Sequence, residues 1–221
     1  MSPGLNSKVQ ILRQHKNAHV ARLINKGWDW LCRKGTISNL DPYTKQFGYF
    51  GEGACLMFPR GTIFGEKWIQ VGSKTLIGPY SCISAGMVPG QEMVSDPVVS
   101  IGERCLIGRG SHIVGHFRIE VGDDVFTGPY VYITDQNHGY KDPDIPIGLQ
   151  WPNDQPVKIG SGSWIGTNVT ILPGTTLGSN VVVASSSVVN GSFPDRCVIA
   201  GAPAKIVREF HQDDGWIKPE T

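Results

Sequence analysis

Aliphatic side chains recur every six residues along much of the second half of the chain. A helix period near 3.6 or a strand period of 2 does not hold one aliphatic phase through Pro173 and Gly178. A chain that turns a corner every six residues keeps this phase, and three of its short strands make one triangular coil. The pattern therefore predicts a β solenoid. Its clearest run is Ile159, Ile165, Ile171, Leu177, Val183 and Val189.

Small residues follow four of these six aliphatic positions. We expect each small residue to let the backbone bend beside its strand, because a side chain there would hinder a tight corner. They are Gly160, Gly166, Gly178 and Ala184.

The same phase appears earlier in the chain and predicts a solenoid from about residue 69 to about residue 203. Two segments interrupt it, 85–98 and 134–158, and we expect both to be loops that leave the prism, where polar insertions cost the core little. The earlier aliphatic positions are Val71, Ile77 and Ile83, then Ile101, Ile107, Ile113 and Ile119. A register shifted by two residues follows at Val121, Thr127 and Ile133.

The first forty residues have a different pattern, which predicts a helix from Ser7 to about Lys34. Seven cations in this segment accompany a single acid, Asp29. A basic amphipathic helix with Trp28 and Trp30 is suited to an anionic membrane surface near a lipid-linked substrate. The favoured alternative is a helix packed on the end of the solenoid with its lysines solvated. The apolar side consists of Leu12, Val20, Leu23, Ile24, Trp28 and Leu31.

Composition indicates one main domain that buries its own core, since the chain has 221 residues. A formal charge of +1 gives no support for a nucleic-acid partner. The five cysteines are odd in number and widely spaced, which favours reduced thiols in a cytoplasmic protein. No export signal or membrane-spanning stretch is expected.

Three motifs in order give the chain a resemblance to a known family. They are VGDDVFTGPYVYITDQNHGY (121–140), PVKIGSGSWIGTNVTILPGTTLGSNVVVASSSVV (156–189) and AGAPAKIVREF (200–210). The chain resembles the hexapeptide-repeat acyltransferases, in particular the sugar O-acetyltransferase branch that includes maltose and galactoside acetyltransferases and polysaccharide-modifying enzymes. The resemblance covers about residues 70–210. It implies an all-β solenoid, a left-handed parallel β-helix over 46–210, with an N-terminal helical segment (1–45), two loop insertions and a C-terminal tail (211–221).

The resemblance implies transfer of an acyl group, most simply acetyl, from acetyl-CoA to a hydroxyl of a saccharide, polysaccharide or glycolipid precursor. The catalytic histidine position of the family falls on His138. An imidazole suits a general base at physiological pH, since the attacking hydroxyl is a very weak acid. No cysteine or serine is paired with an activating motif, so direct attack on the thioester is expected. The alternative for His138 is a surface histidine in a turn.

The family's coenzyme A positions fall on residues of the second and third motifs. A backbone N–H at Gly166 or Thr167 would stabilise the oxyanion. Each side chain has a plain alternative as an exposed corner residue or a solvated charge. One departure is the stretch from Asn190 to Phe193 before Pro194, where relatives often carry Thr-Lys-Asp and thus a basic contact. The implied cofactor-binding residues are Trp164, Gly166, Thr167, Ser185, Ser186, Lys205 and Arg208.

The acceptor pocket departs from the family, because the coil before the catalytic histidine carries Arg109 and Ser111 instead of the usual Asn and Asp. Asp135 or Asn137 is expected to orient His138 or hold acceptor hydroxyls, with turn chemistry as the alternative. Trp151 lies in a loop suited to stacking on a glycan or to packing against a neighbouring subunit. The candidate substrate-binding residues are Asp135, Asn137, His112, His116 and Trp151.

Two other classes of function stay open beside the acyltransferase. Zinc carbonic anhydrases with the same solenoid fold bind zinc through three histidines shared between subunits. His112, His116 and His138 are the candidate ligands for such a site. Their order argues against it, because the close pair precedes the third histidine here, so no metal is expected. A non-catalytic scaffold is the third class. The resemblance also implies a homotrimer with active sites between subunits. A peripheral membrane contact through the N-terminal helix stays open.

Overall fold

A computed structural model describes residues 4–219 of the chain, with side chains from residue 17 onward. Helix α1 spans Gly4–Gly35, and short 3-10 helices span Pro42–Gln46, Glu66–Trp68 and Ile147–Leu149. The strands of the first coils are β1 (Ile37–Ser38), β2 (Tyr49–Phe50), β3 (Cys55–Leu56), β4 (Ile63–Phe64), β5 (Ile69–Val71), β6 (Leu76–Ile77) and β7 (Cys82–Ala85). Those of the middle coils are β8 (Val99–Ile101), β9 (Leu106–Ile107), β10 (His112–Gly115), β11 (Ile119–Val121), β12 (Phe126–Thr127), β13 (Tyr132–Thr134), β14 (Gln136–Asn137) and β15 (Asn153–Asp154). The remaining strands are β16 (Val157–Ile159), β17 (Trp164–Ile165), β18 (Thr170–Ile171), β19 (Thr176–Leu177), β20 (Val182–Val183), β21 (Val188–Val189), β22 (Ser192–Phe193), β23 (Cys197–Gly201), β24 (Ala204–His211) and β25 (Gly215–Ile217).

All of these strands except β14 and β15, which pair with each other, form the three faces of a prism. Face A is the sheet β1-β3-β6-β9-β12-β17-β20-β23-β24-β25, face B is β2-β5-β8-β11-β16-β19-β22, and face C is β4-β7-β10-β13-β18-β21. Strands from successive coils pair in parallel on each face, as in Ile113↔Ile133 and Ile133↔Ile171. The predicted left-handed parallel β-helix with an N-terminal helix and loop insertions is confirmed.

The core is the column of aliphatic side chains that the six-residue phase predicts. All six members of the clearest run are at most 1% exposed. A second inward position lies two residues before the aliphatic one and often carries a buried hydroxyl. The Thr75 hydroxyl donates to the Gly102 carbonyl (2.7 Å), and Ser163 Oγ accepts from the Val181 N–H (3.1 Å). These hydroxyls therefore satisfy backbone groups between neighbouring coils.

The glycines after the aliphatic positions have a role other than the bending that the sequence predicts. Gly160 and Gly166 are absent from the residues with positive φ, whereas the residue three positions after each inward aliphatic often has φ near +60°, as at Asn168 (58°) and Asn180 (57°). A Cβ at Gly166 would lie 2.6 Å from the Ser185 nitrogen, and one at Gly160 would collide with the Gly178 backbone. These glycines thus permit coil-to-coil contact, and the left-handed residues make the corners.

The solenoid starts earlier and ends later than the aliphatic ladder alone indicates. Strands β2, β3 and β4 already stack on β5, β6 and β7. At the other end β24 and β25 return antiparallel along face A, so part of the predicted tail continues the sheet. The first insertion lies between β7 and β8, and the second contains the hairpin β14–β15. Residues 1–3 and 220–221 of the predicted end segments lie outside the described residues.

Helix α1 is exposed along residues 17–27, which lie beyond its contact with the solenoid. The favoured prediction of a packed helix is wrong for this stretch, since Leu23 is 71% exposed and Ile24 is 64% exposed. The helix contacts the solenoid near the C-terminal end of α1, where the Trp28 and Phe58 ring centroids are 6.2 Å apart. The Leu12 side chain lies outside the described residues. Among the described helices, none has the length and apolarity required to cross a bilayer.

We expect Gly160→Ala to destabilise the solenoid, because the added methyl group would be forced against the Gly178 backbone. Overpacking of this kind costs about 1–3 kcal/mol. The matched control is Gly148→Ala, since a Cβ there meets nothing within 4 Å. Chemical denaturation of both variants measures the difference. Equal midpoints for the two variants would contradict a close-contact role for Gly160.

Candidate active site

His138 lies on the second insertion, immediately after β14. The hairpin pairs Gln136 with Asp154 and Asn137 with Asn153. The His138 side chain is exposed and borders a cavity of about 300 Å³. This cavity is lined mainly by amide and other polar side chains, which offer hydrogen bonds to a hydroxyl-rich molecule. They are Asn137, Tyr140, Lys141, Asn153, Gln155 and Asn190.

Asp135 lies beneath the hairpin and is fully buried. Its Oδ1 accepts from the His116 N–H (2.8 Å), and its Oδ2 accepts from the N–H groups of Phe117 (2.8 Å) and Arg118 (2.6 Å). Burial raises the pKa of the Asp135 carboxyl, and the three donors offset part of that rise. The geometry favours the turn-chemistry alternative for Asp135, because its oxygens are used by the backbone of the preceding coil.

His116 links both insertions to the same coil. Its Nδ1 is 2.6 Å from Asp154 Oδ2, and its Nε2 is 3.3 Å from Gln91 Nε2. The Met87 N–H donates to Gln91 Oε1 (2.8 Å), which fixes the orientation of the Gln91 amide. The Gln91 NH₂ therefore donates to His116 Nε2, and His116 Nδ1–H donates to Asp154. These contacts link the hairpin to the first insertion through His116.

The three histidines are not gathered into one cluster in the described chain. His112 is exposed on β10 of face C, in register with Tyr132. His116 is engaged by Asp154 and Gln91, and His138 borders the cavity. Among residues 17–219, no three histidine, cysteine, aspartate or glutamate side chains lie in an arrangement that could hold a metal. Within a single chain the geometry therefore gives no support to a three-histidine zinc site.

The residues matched to coenzyme A lie on the outer side of face A and along its edge. Trp164 is 56% exposed on β17, and Lys205 and Arg208 are exposed on β24 opposite Ala200 and Val198. These side chains share one outward surface, because opposite residues of paired strands point to the same side.

The other matched positions form an exposed corner beside Trp164. The Ser186 N–H donates to the Thr167 carbonyl on the preceding coil (2.8 Å), and Ser185 is exposed next to them. The Gly166 N–H already donates to the Val183 carbonyl (2.8 Å). For the Thr167 N–H, no acceptor is found in the described part of the chain. Of the two N–H groups considered for the oxyanion, Thr167 is therefore the one left available.

Trp151 is 91% exposed and lies beside a second cavity of about 460 Å³. This cavity adjoins the one at His138, since both are lined by Gly139, Lys141 and Asn153. The Trp151 side chain is thus presented to solvent next to the candidate site.

Two protein-family models match segments of this chain. The model for bacterial transferase hexapeptide (six repeats) matches residues 156–191, and that for the hexapeptide repeat of succinyl-transferase matches residues 98–134. Both matched segments are thus similar to hexapeptide-repeat transferases.

Two relatives of this hexapeptide-repeat chain come from Escherichia coli K12. WbbJ, which is named for O-acetyl transfer in lipopolysaccharide biosynthesis, is 41% identical over 48% of this chain and 59% of its own. Galactoside O-acetyltransferase is 32% identical over 55% of this chain and 62% of its own. The matches thus span about three fifths of each relative. They confirm the resemblance to the sugar O-acetyltransferases.

Two solved structures have the same fold as this hexapeptide-repeat chain. The acetyltransferase VCA0836 from Vibrio cholerae, complexed with acetyl coenzyme A, is 25% identical with a TM-score of 0.52 and covers 79% of this chain and 80% of its own. AntD, an N-acyltransferase from Bacillus cereus in complex with dTDP and coenzyme A, is 17% identical with a TM-score of 0.66 and covers 80% of this chain and 92% of its own. At that identity AntD shows the fold alone.

The sequence analysis did not identify several residues that lie near the site. Gln91 and Asp154 lie in insertions without a repeat, 25 and 38 residues from His116, so no periodic signal connects them with it. Asn153, Gln155 and Asn190 line the cavity at His138. Their polarity was visible in the sequence, but their common location was not.

We expect Asp135→Asn to destabilise the protein by about 1–3 kcal/mol, because one acceptor oxygen becomes an NH₂ group facing buried N–H donors. The control is Asp144→Asn in the exposed part of the same insertion, which should stay within about 0.5 kcal/mol of the parent. Chemical denaturation provides both values. A parent-like free energy of unfolding for Asp135→Asn would show that the three contacts do not anchor the coil.

Proposed function

We propose that this protein is an acyl-CoA-dependent O-acyltransferase that acetylates a hydroxyl of a saccharide or glycolipid precursor. The observation that carries the proposal is the position of His138, exposed at an amide-lined cavity on a hairpin held by partly buried hydrogen bonds. The curated relatives named for O-acetyl transfer support the reaction. The Vibrio cholerae structure with acetyl coenzyme A supports the donor.

In the proposed reaction the His138 imidazole removes the acceptor hydroxyl proton as the oxygen bonds to the thioester carbonyl carbon. The C–S bond then breaks, and the leaving coenzyme A sulfur receives the proton from the imidazolium. The Thr167 N–H would donate to the oxyanion of the tetrahedral intermediate.

Direct attack is preferred over an acyl-enzyme on a cysteine. Burial raises the pKa of the Cys55, Cys105 and Cys197 thiols, which lowers their thiolate fraction and hence their nucleophilicity.

Coenzyme A would lie along face A and its corner. Trp164 offers an exposed aromatic surface, and Lys205 and Arg208 offer cations for phosphates. The corner at Thr167, Ser185 and Ser186 would receive the pantetheine arm. The stretch from Asn190 to Phe193 lacks the basic residue that relatives often carry before the proline. Binding of the coenzyme A phosphates would therefore depend more on Lys205 and Arg208 of β24.

His138 and Trp164 extend from different sides of one prism, since His138 follows face C and Trp164 lies on face A. We therefore infer that a complete site combines His138 of one subunit with face A of another, in a homotrimer. Face A supports this inference, because its outward positions form an apolar column, whereas those of face B are polar. The column consists of Leu76, Leu106, Phe126, Trp164 and Val182, in register.

A hydroxyl acceptor is preferred over an amine on two grounds. The two curated relatives are named for O-acetyl transfer, and the cavity at His138 carries several amides that suit sugar hydroxyls. AntD is an N-acyltransferase that was also solved with dTDP-4-amino-4,6-dideoxyglucose and coenzyme A, so an amino sugar is the competing acceptor to test. A cytoplasmic location stays a prediction.

Thiol release from acetyl-CoA tests the proposal with mono-, di- and lipid-linked saccharides and one amino sugar. We expect acceptor-dependent release by the parent and a loss of about 100-fold or more in His138→Ala, because general-base catalysis contributes factors of this order. His211→Ala, an exposed histidine at the end of β24, is the matched control and should retain parent activity.

Three results would contradict parts of this proposal. Undiminished release by His138→Ala would remove His138 as the base. Release with the amino sugar alone would replace the hydroxyl acceptor by an amine. No release together with no coenzyme A binding in calorimetry would overturn the acyltransferase and favour a scaffold.

The trimer is tested with Phe126→Glu. Phe126 is 52% exposed in the middle of the apolar column, so a carboxylate there is compatible with the folded chain but is costly once covered by another subunit. We expect sedimentation equilibrium to give a trimer for the parent and a monomer for this variant. Thr176→Glu on the polar face B should remain trimeric. An intact Phe126→Glu trimer would show that face A is not the subunit contact.

A further inference from the structure

The exposed part of helix α1 presents an apolar surface that the solenoid does not cover. Large apolar side chains along two turns and more are open to solvent, although such groups are normally buried. Their exposed fractions are 55% for Val20, 71% for Leu23, 64% for Ile24, 46% for Trp28, 54% for Trp30 and 44% for Leu31.

These side chains form one continuous side of the helix. With about 100° per residue, Leu23, Ile24 and Leu31 fall within about 60° of Val20 around the helix axis. Trp28 and Trp30 fall about 80° to either side of Val20 by the same geometry. The two indoles therefore mark both margins of the apolar side, where an amphipathic ring with one N–H is suited to a boundary between apolar and polar surroundings.

The opposite side of the helix is cationic. Arg22, Lys26 and Arg33 fall about 120–160° from Val20 around the axis. Asp29 is the one acid in the described helical residues with side chains, 17–35. Lys34 falls within the apolar side near the helix end, where its long stem lets the ammonium group reach water. The positive charge matches an anionic surface in contact with the apolar side.

The helix is attached to the solenoid near one end. Trp28 packs against Phe58 with ring centroids 6.2 Å apart, and Gly35 lies directly against the same Phe58 ring. The Thr36 hydroxyl donates to the Cys32 carbonyl (2.8 Å) at the helix terminus. Residues 17–27 lie beyond this attachment and remain open to a partner along their whole length.

The width of the apolar side distinguishes between two partners that could cover it, a lipid surface and a second copy of the helix. A two-helix seam buries a narrow stripe of two positions per heptad. The side between the two indoles spans about 160°, which is wider than such a stripe and is typical of a helix that lies in a lipid interface.

We propose that helix α1 binds the surface of an anionic phospholipid membrane. Val20, Leu23, Ile24 and Leu31 enter the boundary between headgroups and acyl chains, and the two indoles lie at headgroup level. Arg22, Lys26 and Arg33 are attracted to the anionic lipid. The inference rests on the helix alone and is independent of the proposed acyl transfer.

Vesicle flotation of the full chain tests the proposal. The probes are phosphatidylcholine vesicles with and without phosphatidylglycerol. We expect the parent to float with the phosphatidylglycerol vesicles at low salt and binding to weaken as salt rises. The double variant Leu23→Glu/Ile24→Glu should lose binding by at least about tenfold, because two carboxylates replace inserted apolar groups.

A second pair of variants separates charge from apolar contact. Arg22→Gln/Lys26→Gln should weaken binding to the anionic vesicles by about tenfold to thirtyfold and reduce its salt dependence. Leu149→Glu is the matched control, since Leu149 is 77% exposed in the second insertion, and it should bind like the parent. Unchanged circular dichroism and thermal unfolding would show that each variant keeps the solenoid.

Each alternative result is decisive. A parent that floats with neither vesicle overturns the proposal, as does parent-like binding of Leu23→Glu/Ile24→Glu. If the parent does not float and Leu23→Glu/Ile24→Glu lowers the mass in sedimentation equilibrium, the apolar side of α1 is a contact between copies of the chain.

Discussion

The close stacking of one coil on the next is the constraint on which the structure depends. Parallel strands on all three faces bond to the same positions of the neighbouring coil, so the spacing cannot vary along the solenoid. Glycine at positions such as 160 and 166 permits this spacing, and residues with positive φ three positions after the inward aliphatics make the corners. Buried hydroxyls then satisfy backbone groups that the ladder leaves over.

A rigid stack allows insertions to carry polar chemistry without disturbing the core. The second insertion is fixed at its base by Asp135, which accepts from three consecutive N–H groups of the preceding coil. His116 joins this base to Asp154 on the hairpin and to Gln91 on the first insertion. His138 is thereby presented at the polar cavity by a hairpin that hydrogen bonds tie to the preceding coil, although its own side chain is exposed.

The prism also divides the candidate chemistry between its faces. Face C leads to His138, whereas the outer side of face A carries Trp164, Lys205 and Arg208. A flat face with an apolar column is suited to three-fold packing, and that packing would unite the two parts of the site. The exposed helix α1 lies outside this arrangement, so the proposed membrane attachment and the proposed acyl transfer can be separated experimentally.

The sequence by itself determined the solenoid, its inward column and its resemblance to the hexapeptide-repeat acyltransferases, because a six-residue period is a local property and each motif is contiguous. It also located His138 at the start of an insertion. It did not reveal the close-contact role of Gly160, the burial of Asp135 or the pairing of His116 with Asp154 and Gln91. Insertions have no period, so which of their side chains meet depends on which coils stack together. That decision belongs to the tertiary structure, since it brings residues 38 positions apart to within hydrogen-bonding distance.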